Sequence, residues 1–159
     1  MIVETDLAYL AGIMDGEGSI FIAKQKSKLR TNPSYILRLS ITSTDKPLCE
    51  WIMGKFGGHI IYDKKQSSRG TGYKACYHWR IVGNKAKAIL IGIQKYLIIK
   101  KEKAELAILF QDQKRGIGSR GITQEQLCSE QSFKEKISNS RCGGHDDSRT
   151  SICQQGTGN

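Results

Sequence analysis

LAGIMDGEGSIF, Leu10 to Phe21, places two acids among three glycines, with apolar residues leading in and out. The preceding run DLAYLAGIM, Asp6–Met14, reads as a short apolar helix that Thr5 or Asp6 can cap. Ala8, Ala11 and Gly12 are small enough to let another backbone come close. Gly16 and Gly18 end the helix, since glycine accepts the positive φ of a helix-ending turn. From Ser19 the pattern is extended. Asp15 and Glu17 therefore fall at a helix C-terminus, where the dipole repels carboxylates. Taken alone, Asp-Gly-Glu-Gly reads as a helix-ending turn with solvated acids. Beside strongly basic strands it is also a candidate Mg²⁺ site, because hard cations take carboxylate and carbonyl oxygens together with substrate phosphates.

Outward from that turn, Ser19–Arg30 alternates imperfectly and turns basic at Lys24, Lys26, Lys28 and Arg30. After the Asn32-Pro33 turn, Tyr35–Thr44 sets Leu37, Leu39 and Ile41 against Ile36, Arg38, Ser40 and Thr42, a half-buried strand. Lys46–Phe56 reads as a helix with Leu48, Trp51, Ile52 and Phe56 on one side and Asp45 as its cap; Gly57-Gly58 stops it. His59–Lys64 and Gly72–Val82 read as two more strands. In the latter Tyr77, Trp79 and Ile81 face the core, leaving Lys74, His78 and Arg80 on the other face. Asn84–Ile93 and Lys101–Gln111 are helical, and Thr123 opens a capping box with Gln126 before a last helix. The order α-β-β-α-β-β-α-α-α with one polar, basic sheet face gives an α+β layer, and such a face suits a DNA groove. Residues 1–137 form one domain; 138–159, rich in Gly, Ser, Asn and Gln, form a loose tail.

The chain has 159 residues and a formal net charge of +10. Between Ser19 and Lys101 there are 17 Lys/Arg against three acids, Asp45, Glu50 and Asp63, while the remainder has 8 basic and 12 acidic residues. A basic centre points to a polyanion, most often nucleic acid. No signal peptide and no membrane-length apolar run is evident, and the five scattered cysteines read as reduced thiols. The expected location is the cytoplasm, or the matrix or stroma for an organelle-encoded chain. Cys128, Cys142, His145 and Cys153 offer four zinc-type ligands without a CxxC pair, a weak signal.

The nine residues Leu10-Ala11-Gly12-Ile13-Met14-Asp15-Gly16-Glu17-Gly18 closely resemble the motif that names the LAGLIDADG homing endonucleases. Ser19-Ile20, Thr44-Asp45-Lys46, Trp51 and Tyr96–Ala104 also look like that family, over roughly Thr5 to Phe110. The resemblance implies an αββαββα core whose four-stranded antiparallel saddle sheet reads DNA, backed by helices. With a single motif it implies a homodimer, the motif helices packing through Ala8, Ala11, Gly12 and Asp15. It implies Glu17 as the metal ligand, Gly16 as supplier of a metal-binding backbone carbonyl, and Asp15 as the helix-end acid. Glu17 stands where the family more often has Asp, one methylene longer at the same charge. Lys100 matches a basic residue near the nucleophilic water or phosphate, though by itself it is one of three clustered lysines. Asp45 matches a position that orients water, and equally serves as a helix cap. Cys49 stands where some relatives place an arginine.

The implied activity is Mg²⁺-dependent cleavage of both strands of a long, near-palindromic DNA site, leaving short 3′ overhangs, with the enzyme encoded in an intron. Mn²⁺ is expected to substitute and Ca²⁺ to support binding without cleavage. The alternative is a non-cleaving nucleic-acid-binding protein such as a maturase that assists splicing of intron RNA. With Phe21 and Leu37 assigned to the core, Gln25, Ser27, Arg38, Ser40, Thr42, Lys74, His78 and Arg80 are assigned to the groove. Lys24, Lys26, Lys28 and Arg30 are added as basic contacts, and Lys64, Lys65 and Arg69 as phosphate contacts.

Overall fold

A computed structural model describes residues 2–25, 32–63, 76–114 and 123–140. Five helices and four strands follow in the order α1 (Glu4–Gly16), β1 (Gly18–Gln25), β2 (Ser34–Ser43), α2 (Lys46–Phe56), β3 (His59–Asp63), β4 (Cys76–Val82), α3 (Gly83–Ile93), α4 (Lys101–Gln113) and α5 (Gln124–Asn139). The strands make one antiparallel sheet in the order β1-β2-β4-β3. No described helix is long and apolar enough to cross a membrane.

Alternation decides which face is which. Ile20, Ile22, Tyr35, Leu37, Leu39, Ile41, Trp79 and Ile81 are buried. They pack against Leu10 and Met14 of α1, Ile52 of α2, Leu90 and Ile93 of α3, Phe110 of α4 and Ile137 of α5. Each such side chain stabilises by about 1.5–3 kcal/mol. A slip of one residue would turn a whole strand's set to water, so the inner face specifies the register.

This corrects the expectation for β1. Ile20 and Ile22 fill the inner face, so Phe21 lies on the outer face with Ser19, Ala23 and Gln25. Gln25 thus stands on the groove side as expected, but in the phase of Phe21 and not opposite to it.

Two glycines are demanded by close packing. A Cβ on Gly18 would lie 2.3 Å from Met14 Sδ and 2.7 Å from Met14 Cα. A Cβ on Gly58 (φ 92°) would lie 2.6 Å from the Arg80 carbonyl oxygen, where Trp79 Nε1 donates to Gly57 O at 2.7 Å. Neither Gly16 nor Gly18 has positive φ, so the helix-ending turn is not the left-handed one expected. α1 instead runs through Gly16 to a right-handed Glu17, whose N–H donates to Ile13 O at 2.8 Å.

At the start of α1 the Asp6 carboxylate accepts from Val3 N–H at 3.0 Å, so Asp6 serves the cap from inside the first turn. The Thr123–Gln126 capping box forms as expected. α5 reaches Asn139, two residues beyond the expected domain end. Where β4 runs out beside β2, Lys114 Nζ donates to the Tyr35 carbonyl and Glu130 accepts from the Tyr35 peptide. Burial pushes the Lys114 amine down and the Glu130 carboxyl up from their ordinary values.

Candidate active site and nucleic-acid interface

The C-terminus of α1 meets the chain entering α4 through a reciprocal clamp. Asp15 Oδ2 accepts from the N–H of Ile98 at 2.8 Å and of Ile99 at 3.2 Å, and Oδ1 accepts from Lys100 N–H at 3.0 Å. Three successive N–H groups leading into a helix form an anion-binding concavity. The acid that looks misplaced at the end of α1 is therefore well placed at the beginning of α4. In return, Lys100 Nζ donates to the carbonyls of Met14 and Asp15, both at 2.7 Å. A cation at a helix C-terminus is favourable. Lys100 is 8% exposed, the one buried charged residue among those described. It is thus not a solvated lysine, and two of its three donors are committed to carbonyls.

Glu17 differs from Asp15 in every respect. It is exposed, next to exposed Gly16, and its carboxylate has no hydrogen bond or ion pair among the described residues. Its carbon skeleton ends α1 directly before β1, so the carboxylate stands at the junction of helix and sheet. No three His, Cys, Asp or Glu side chains gather into a metal-holding group among the described residues. A cation here would rest on the Glu17 carboxylate, a backbone carbonyl such as that of Gly16, and ligands from outside the chain. An unpartnered carboxylate beside a helix's carbonyl end fits that demand.

Asp45 holds the N-cap position of α2 with extended backbone, but its side chain makes no capping bond; its N–H donates to Ser43 Oγ at 3.0 Å. It lines an open pocket with Thr5, Asp6, Tyr9, Leu48 and Trp51. A second open pocket, of about 430 Å³, brings Lys100 together with Lys103, Gly18, Ser19, Phe21 and Ser138 at the edge of β1. Glu17 and Asp45 share neither. Cys49 is buried, and burial pushes its thiol up.

On α1, Ala8, Gly12, Thr5 and Tyr9 form an exposed stripe, with Tyr9 at 56%. Ala11 does not belong to it: it is fully buried in the chain's own core, because it shares the helix phase of Leu7, Leu10 and Met14. Its assignment to a subunit contact is corrected accordingly. Asp15 is spent on the clamp within its own chain.

The outer sheet face carries Ser19, Phe21 and Gln25 from β1, Arg38, Ser40 and Thr42 from β2, His78 and Arg80 from β4, and His59 and Ile61 from β3. Cross-strand neighbours are Phe21–Arg38, Ser40–Arg80, Thr42–His78 and His59–Arg80. Thr42 Oγ1 lies 2.8 Å from His78 Nδ1. Lys24 takes the inner phase and lies over the Tyr35 ring, 5.8 Å from its centroid, so it is not on the groove face. Ser27, Lys26, Lys28, Arg30, Lys64, Lys65, Arg69 and Lys74 lie outside the described residues, as do Cys142, His145 and Cys153. Cys128 is a free, exposed thiol.

Three residues of this surface escaped the sequence reading: Phe21, His59 and Ile61. Counting alternation from the Ile20–Ile22 pair instead of from Phe21 would have found the first. Pairing His59 with Arg80 requires the strand register.

A model of the LAGLIDADG endonuclease family matches residues 10–107. The chain belongs to that family. The chain is similar to the homing endonuclease I-CvuI in complex with its target, at 16% identity and TM-score 0.69, over 89% of this chain and 85% of that one. It is similar to the archaeal intron-encoded homing endonuclease I-Vdi141I complexed with DNA, at 14% and 0.70, over 92% and 90%. Against the LAGLIDADG homing endonuclease I-LtrWI bound to target DNA the values are 23% and 0.65, over 88% of this chain but 45% of that one. No protein of curated function matches. The matched span holds the Asp15–Lys100 clamp, Glu17 and all four strands.

Proposed function

We propose that this LAGLIDADG chain cuts both strands of a long, near-palindromic DNA site as a symmetric pair of copies, leaving short 3′ overhangs, and that an intron encodes it. The observation carrying this reading is the exposed, unpartnered Glu17 carboxylate at the point where α1 passes into a sheet with an Arg/His-bearing outer face. Pairing through α1 is supported by the Thr5–Ala8–Tyr9–Gly12 stripe, and by the match to almost all of I-CvuI yet under half of I-LtrWI.

Glu17 and the Gly16 carbonyl would hold Mg²⁺, with Mn²⁺ able to replace it and Ca²⁺ supporting binding alone. When bound, the ion neutralises charge at a scissile phosphate and favours the attacking water. The chain's own part is positioning. Lys100 and Asp15 hold the α1 terminus so that Gly16 and Glu17 are presented to the substrate. Lys100 keeps one donor for a phosphate. Asp45, which lines the pocket with Tyr9 and Trp51, would orient water there. No observation favours the splicing alternative.

The test is incubation of the purified full chain with a randomised plasmid library in Mg²⁺ or Ca²⁺, followed by sequencing of the ends. Cuts in Mg²⁺ alone, with short 3′ overhangs and a pseudo-symmetric site, are expected. Glu17→Gln should bind the same site and lose cleavage by about 10²-fold or more. Normal cleavage by that variant would remove Glu17 from the metal site.

A further inference from the structure

Phe21 is the anomaly of the outer face: a large apolar ring on the side of the sheet away from the core, at a strand whose core positions Ile20 and Ile22 already fill. It stands directly across from Arg38 in the β1–β2 register. The Arg38 guanidinium carbon lies 5.6 Å from the Phe21 ring centroid, within cation–π range. Arg38 makes no ion pair among the described residues; the four ion pairs there all use lysine. A guanidinium lying over a ring is held through its face, and its five N–H donors point outward in the guanidinium plane. The ring therefore restricts the arginine's rotamers without consuming a donor.

The neighbouring arginine on the same face is set differently. Arg80 stands between Ser40 on one side and the His59 imidazole on the other, with no cation–π contact among the described residues. Two arginines of equal charge thus present themselves in two ways, one ordered on a ring and one among hydroxyl and imidazole groups. An ordered fork is what bidentate recognition of guanine O6 and N7 needs, because the freedom lost on binding is already small.

We infer that Phe21 is a positioning residue for specificity, holding Arg38 as the reader of one guanine in each half of the DNA target. This rests on the reading of the outer sheet face as a DNA surface. Phe21 itself touches no base in this account. Its effect passes through Arg38, and so falls on a single base-pair position.

Selection of bound duplexes from a randomised double-stranded DNA library, by the full chain in Ca²⁺, tests it. The wild-type chain should show one guanine per half-site whose preference is lost, by roughly tenfold to a hundredfold, in Arg38→Ala. Phe21→Leu should weaken the preference at that same position by about threefold to tenfold, leaving the other positions unchanged, and Phe21→Trp should restore it. The inference is overturned if Phe21→Leu lowers affinity evenly across all positions, or shifts a position other than the one Arg38 controls. It is overturned as well if Arg38→Ala reduces the salt dependence of binding without changing base preference, the mark of a phosphate contact. A wild-type chain that selects no sequence at all would instead remove the DNA reading beneath it. Circular dichroism melting of Phe21→Leu separates loss of fold from loss of reading.

Discussion

The two ends of α1 are both tied down by charged groups, and they are tied in opposite ways. At the N-terminal end, Glu4 accepts from Lys95 Nζ at 2.8 Å and from the Tyr96 hydroxyl, with the Glu4 and Lys95 side chains 73% and 61% exposed. Asp6 pairs with Lys55 at 2.9 Å. At the C-terminal end, Asp15 and Lys100 exchange five hydrogen bonds with backbone groups, and Lys100 is buried. Water competes for the Glu4 pair and reaches the Asp15 bonds to Ile98 and Ile99, whereas Asp6–Lys55 is half-buried and the Lys100 amine is shut away from solvent. Exposed pairs contribute little. Charge-assisted bonds to buried backbone groups contribute about 1.5–3 kcal/mol each, and removing one partner strands the other. The helix is therefore anchored at the end that carries the candidate chemistry.

The sharpest way to break this contrast is to remove the buried amine. Lys100→Met should cost about 3–5 kcal/mol in urea unfolding, because two carbonyls lose their donor inside the fold. A cost like that of an exposed lysine would contradict the clamp. Next in size is Gly18→Ala, where a methyl group meets Met14 backbone and sulfur. About 1–3 kcal/mol should be lost as the helix–strand junction is forced apart. Smallest are the changes at the other end. Glu4→Gln and Lys95→Met should leave the urea midpoint unmoved within error.

Acid pH sharpens the same contrast. The Lys95 hydrogen bond holds the Glu4 carboxyl below its ordinary value, and the Val3 N–H does the same for Asp6. A carboxyl depressed in the folded state adds stability above its unfolded pKa and loses it as pH falls through the folded one. The ordinary values for these two carboxyls are 4.5 and 3.8. The loss should therefore begin near those values and continue below them, and Glu4→Gln should remove only a minor part of it. A large flattening of the acid limb of a stability–pH curve in Glu4→Gln would show that the exposed end holds more than its geometry allows.

Much of this was legible in the sequence, for identifiable reasons. The order of elements followed from period and punctuation, since the strict alternation in Tyr35–Thr44 and the Gly57-Gly58 stop are local features. The motif singled out Glu17 because it is an acid at a glycine-flanked turn, a local feature of residue type and spacing. The clamp could not be read, because Asp15 and Lys100 are far apart in the chain and the acid's partners are backbone N–H groups, which carry no sequence signal. Phase errors had a similar origin. Ala11 and Gly12 are both small, but only the helix phase set by Leu7, Leu10 and Met14 tells which is buried. Taking Phe21 as a core position reverses the phase of β1, since the Ile20–Ile22 pair claims that face.

Asp15 and Glu17, separated by Gly16, have opposite duties, and one comparison tests this most directly. Urea unfolding of Asp15→Asn and Glu17→Gln should be measured side by side against the parent chain. Asp15→Asn should lose about 2–3 kcal/mol, since an amide cannot accept from all three N–H groups as a carboxylate does, whereas Glu17→Gln should stay within about 0.5 kcal/mol. Equal losses, or a larger one for Glu17→Gln, would contradict the division between the acid that holds the helix end and the acid left free to act.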